Sequence, residues 1–125
     1  MSYTYKPIAP ESSARIAVLT LTMWAAHIQR ERLYPPCTRC DRDARAAFVR
    51  YLLACEEMVR RLQAPPSIKR DAAVWAVEQD ASLALTVADR NVPPCFTERV
   101  EVRRLVRIST ATELHAGGWG LRSAA

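Results

Sequence analysis

Glycine is scarce in this chain: three residues in 125, against eight prolines. Few positions can take the positive φ that tight hairpin turns demand, so an all-β fold is disfavoured and helices are favoured. Lysine is scarcer relative to its partner cation. Of the 18 basic residues all but Lys6 and Lys69 are arginine, which reflects either coding bias or a demand for the planar fork that suits phosphates and carboxylates. Histidine occurs twice, as His27 and His115, which leaves little scope for general-base chemistry. No Gly-rich phosphate loop, His-Glu-x-x-His or Gly-x-Ser-x-Gly is present, and the paired acids Glu56 and Glu57 fall on a solvated helix face. Catalysis is therefore the lesser reading. Long hydrophobic runs are missing too: the most apolar stretch, 16–28, is broken by Thr20, Thr22 and His27 and is too short to span a bilayer. Nothing near Met1 resembles a secretory signal. The expectation is a cytoplasmic protein without membrane association, in which four cysteines mean thiols or metal ligands rather than disulfides.

What the chain does contain is ordinary globular composition, half hydrophobic and a quarter charged, at a length that suits one domain over 1–125. The net charge of +5 is spread along the chain, with no polybasic tail, so any nucleic-acid binding must come from a folded surface. Pro-Pro pairs at Pro35-Pro36, Pro65-Pro66 and Pro93-Pro94 cut the sequence into four pieces of similar size, each expected to hold one helix. Residues 1–10 read as an extended arm, because Pro7 and Pro10 block an early helix.

The first helix is expected over about 11–33, with Ile16, Leu19, Met23, Ala26 and Leu33 on one face. Its other side (Val18, Leu21, Ala25, Ile28) is apolar as well, so it should be largely buried. Leu19 to Met23 also alternates with period two, which leaves a strand as a rival. The second helix, capped by Asp41 or Asp43, carries Ala44, Phe48, Tyr51, Cys55, Met58 and Leu62 at the 4-3 spacing of a packed seam. Arg42, Arg45, Arg50, Glu56, Glu57, Arg60 and Arg61 cover its outside. Ser67 caps a third helix to about Arg90, with Val74, Val77, Ala81, Ala84, Leu85 and Ala88 inward and Trp75 at the edge. The fourth piece reads as a helix from Thr97 to His115, although the β-branched residues within 98–112 give it β character. A loosely held tail, 117–125, follows. The fold class is mainly α: a single-domain bundle of about four helices.

Two features point to chemistry. Cys37 and Cys40 have the spacing by which two thiolates grip one zinc ion. In an up-down bundle Cys95 and His27 belong to the same end, which completes a Cys37/Cys40/Cys95/His27 set around a structural zinc. Without metal these are small residues at a helix entry. As a redox pair they lack the strand that precedes such motifs in thioredoxin-like enzymes. Cys55 reads as a core thiol. The second feature is Arg99, Arg103 and Arg107, four apart with Arg104 beside them, which on a helix form one basic stripe. Trp119 among glycines is a further candidate anchor, since tryptophan and arginine dominate binding hot spots. Trp24 reads as core. The functional expectation is a small regulatory or inhibitory binding module that docks on a protein or nucleoprotein through Arg99, Arg103, Arg104, Arg107 and Trp119. The alternatives are a nucleic-acid-binding protein with a structural zinc and, third, a thiol-disulfide oxidoreductase.

Overall fold

The structure, a computed structural model, describes residues 5–88 and 96–108. They form four helices in order, α1 (Ser12–Leu33), α2 (Arg39–Arg61), α3 (Ile68–Ala88) and α4 (Phe96–Val106), and no strand among the described residues. The mainly helical, bundle-like reading holds, and both strand alternatives fail wherever they can be compared: 19–23 and 98–106 are helix.

One core runs through all four helices. α2 supplies the largest share, burying Ala44, Ala47, Phe48, Tyr51, Leu52, Cys55 and Met58, with Leu62 at its C-cap. Each Leu-, Phe- or Met-sized side chain so buried contributes about 1.5–3 kcal/mol of transfer free energy. α1 adds Ile16, Leu19 and Met23, α3 adds Ala72, Val74, Ala81 and Ala88, and α4 adds Val102 and Val106. The alanines of α3 let α2 approach closely, and these two helices form the most extensive contact in the molecule. Val77, Ala84, Leu85 and Trp75 are half-buried around this contact. Ser67 caps α3 as its position implies, its Oγ accepting from the Arg70 amide at 3.0 Å.

Several expectations are corrected. α2 is capped by Thr38, whose hydroxyl accepts from the Asp41 amide at 3.0 Å, and neither Asp41 nor Asp43 performs that role. A carboxylate one turn inside the helix instead meets the positive end of its dipole. α1 is not largely buried: Val18, Leu21 and Ile28 are 55, 69 and 51% exposed, and Leu33 is also outside. α4 ends at Val106 rather than running on to His115. Val106 and Ile108 are both buried, and two further helical residues would turn Ile108 about 200° away from Val106, so the chain leaves the helix to bury both. The readings for 109–115, the tail 117–125 with Trp119, and Cys95 lie outside the described residues.

The extended arm is pinned where α3 begins. The Asp71 carboxylate is fully buried; its Oδ2 accepts from the Tyr5 hydroxyl and from the Ile8 amide at 2.9 Å. Arg70 Nε donates to Asp71 Oδ1 at 2.8 Å, while Arg70 Nη1 donates to the Ala64 carbonyl and Nη2 to that of Ile8. Five hydrogen bonds thus surround one buried pair, the condition under which a buried charge is tolerated. Burial and the adjoining carboxylate push the Tyr5 phenol above its ordinary value. Ile8 enters the core beside the clasp.

Candidate interaction surface on the fourth helix

α4 packs on α1 and, more lightly, on α3. Val102 and Val106 point inward four residues apart, with Leu105 packed beside them, which turns Arg103 and Arg104 out. The helix therefore gathers Arg99, Arg103, Arg104 and Arg107 on its outer side, but the four are not equivalent. Arg103 is 63% and Arg104 64% exposed at the side chain, Arg107 is exposed, and Arg99 is half-buried. Arg104 is engaged by its own helix, with Nε and Nη2 donating to the two carboxylate oxygens of Glu101 at 2.8 and 2.6 Å. That fork holds the Glu101 carboxyl below its usual range, with a smaller contribution from Arg15 of α1. Arg103 Nε lies 3.6 Å from Glu78 of α3, close enough for an ion pair but long for a hydrogen bond. Arg107 makes no side-chain ion pair among the described residues.

Beneath Arg99 and Arg103 a cleft of about 320 Å³ opens between α3 and α4. Tyr51 of α2, Glu78, Ser82 and Leu85 of α3 and Val100 of α4 line it. Glu78 is buried and well supported: Ser82 Oγ donates to one oxygen at 2.7 Å and Gln79 Nε2 to the other at 2.8 Å. Val100 stands half-exposed at the rim. The surface therefore combines fixed cations, a partly apolar rim and one buried carboxylate. The exposed guanidiniums suit the carboxylates of an acidic segment, and within the cleft the Ser82 hydroxyl is held by the Glu78 carboxylate.

The opposite candidate, the Cys-x-x-Cys end, is only partly assembled. Cys37 and Cys40 are exposed at the entry to α2, and His27 is buried. His27 and Pro36, the residue before Cys37, do line one cleft of about 250 Å³, together with Glu31, Arg42 and Arg45. No three His, Cys, Asp or Glu side chains among the described residues are grouped to hold a metal ion, and Cys95 lies outside those residues. Cys55 is a core thiol as expected, its pKa pushed up to about 12 chiefly by burial, although hydrogen bonds with Tyr51 and Thr20 oppose the rise. A thiol so protonated is a poor nucleophile.

Arg45, expected on the outer face of α2, is buried against α1. Its Nη2 lies 3.2 Å from Asp41 and its Nη1 3.4 Å from Glu31 of α1. His27 Nε2 faces the same Glu31 at 3.8 Å, and the imidazole packs edge-on to Trp24 and against Phe48. Trp24 itself is half-buried, its Nε1 donating to Glu56 at 2.8 Å. The Asp41-to-Arg45 spacing of four was a legible signal for this pair; the part played by Glu31 was not. No protein-family model, curated protein or solved structure matches the chain. Among the described residues, no helix is long and apolar enough to cross a membrane.

Proposed function

We propose that the protein is a small, non-catalytic binding module that docks on an acidic surface of a protein or nucleoprotein through the outer face of α4. The observation that carries this reading is the division of labour among the arginines. Arg104 is neutralised by Glu101, whereas Arg103 and Arg107 project into solvent on one side of the helix, one turn apart, above a cleft rimmed by Val100. The Arg103 guanidinium is tethered through Nε to the buried Glu78, which limits the side-chain entropy lost on docking. Exposed cations beside apolar surface match the composition of interface hot spots. Trp119 extends the proposed contact set by its residue type.

The test is capture from an extract of the source cell with the immobilised full chain. The wild type is expected to retain a partner that the Arg103→Glu/Arg107→Glu double variant loses and an Arg60→Glu control keeps. Equal retention by all three would remove the α4 face from the function. A duplex oligonucleotide is titrated in parallel. Binding whose affinity falls steeply with salt, and is lost in the double variant, would identify the partner as nucleic acid.

A further inference from the structure

α1 is apolar on two opposite sides, and the fold uses only one of them. Ile16, Leu19 and Met23 enter the core, while Val18, Leu21, Ala25 and Ile28 face away from it. The exposed set is ordered. Glu11, Val18, Ala25 and Arg32 recur at intervals of seven, and Ala14, Leu21 and Ile28 form the adjacent row at the same interval. Two such rows are the seam of a helix pair. The small side chains of Ala14 and Ala25 permit close approach of another backbone. The row flanking the seam is Arg15, Thr22 and Gln29, all exposed; its only charge, Arg15, lies toward one end, and the middle is neutral.

We propose that this face binds a second copy of the chain, with the two α1 helices antiparallel. The charges fix the direction. Glu11 closes one end of the first row and Arg32 the other, both exposed. A parallel partner would set Glu11 beside Glu11 and Arg32 beside Arg32. An antiparallel partner layers Val18 on Ile28 and Leu21 on Ala25 of the second copy, and brings Glu11 within one turn of its Arg32 at both ends. Such a contact is isologous, as a two-fold dimer requires. Its size is modest. The 22 residues of α1 span about 33 Å, and a strip of that length buries on the order of 400 Å² per copy, below the roughly 800 Å² per partner of a standard stable interface. The dimer is therefore reversible and populated at high protein concentration.

Sedimentation equilibrium of the full chain over a wide concentration range tests this. The average mass should rise from 14.1 kDa toward twice that value, and a chain that stays at the monomer mass throughout overturns the proposal, whatever else covers α1. Leu21→Glu should raise the dissociation constant by roughly tenfold or more with helicity by circular dichroism unchanged, since Leu21 makes no core contact. Leu83→Glu, equally exposed on α3, should leave association intact; loss of association in both variants would place the contact elsewhere. Glu11→Arg should weaken the dimer, and adding Arg32→Glu to it should restore the dimer. Failure of that restoration overturns the antiparallel arrangement.

Discussion

α1 and α2 are nearly equal in length yet are held in place by different means. α2 is specified by its own sequence: a side-chain cap at Thr38, an apolar stripe on one side, and arginines and glutamates over most of the rest. α1 has neither device. Its N-cap residue, Glu11, makes no side-chain capping bond, and its apolar residues lie on both sides. Its core side chains Ile16, Leu19 and Met23 are helped from outside it, by the arm that precedes it and the Asp71 clasp that fixes Tyr5 and Ile8 against α3. A helix that carries its own instructions is legible in isolation. One placed by a remote contact is not, and the half of its surface left over is available to something else.

The largest effect that would break this contrast comes from Asp71. Asp71→Ala removes the partner of a buried guanidinium and strands the Ile8 amide and the Tyr5 hydroxyl, at a cost of about 3–5 kcal/mol. Chemical denaturation should show it, together with faster amide exchange at Ile8 and in the first turn of α1. If exchange in α1 is unchanged while global stability falls, the clasp stabilises α3 alone and the arm has no part in placing α1.

Much of the fold was open to sequence reasoning wherever the information is local. The 4-3 spacing of Ala44, Phe48, Tyr51, Cys55, Met58 and Leu62 identifies the buried side of α2 without reference to any other element, and all six are buried. Ser67 announces the start of α3 by its residue type. The inner side of α1 could not be chosen in the same way, because apolar residues on two sides carry no direction. Arg45 counts as surface by residue type; Asp41 on its own helix and Glu31 arriving from α1 together make its burial tolerable. The clasp spans 63 residues between Ile8 and Asp71, and no spacing rule reaches that far. On α4 the pattern shows that four arginines share a side, but how the exposed ones are engaged depends on Glu101 at three residues' distance and on Glu78 from another helix.

Capping sharpens the comparison at a smaller scale. Thr38→Ala deletes the side-chain capping bond at the α2 N-terminus and should cost about 1 kcal/mol. Glu11→Ala, measured in dilute protein, should lie within about 0.5 kcal/mol of wild type, since no capping bond is lost. Equal losses by thermal or denaturant unfolding would mean that α1 is capped in solution after all.

The smallest effect concerns the seam where the two helices meet. His27 of α1 is pressed against Phe48 of α2, and its pKa is lowered below 6.5, first by burial, with Arg45 and Arg30 acting in the same direction and Glu31 against it. A lowered folded value means that the unfolded chain binds the proton more readily, so stability rises with pH across that interval. His27 thus favours folding fully above the unfolded value of 6.5, and that advantage drains away as the pH falls through 6.5 toward the lower folded value. One proton limits the slope to about 1.4 kcal/mol per pH unit. His27→Gln keeps a polar group of similar reach without the titration. Its unfolding free energy should be flatter than wild type between neutrality and mild acid, and parallel curves for the two proteins would show that His27 is solvated at the seam rather than enclosed by it.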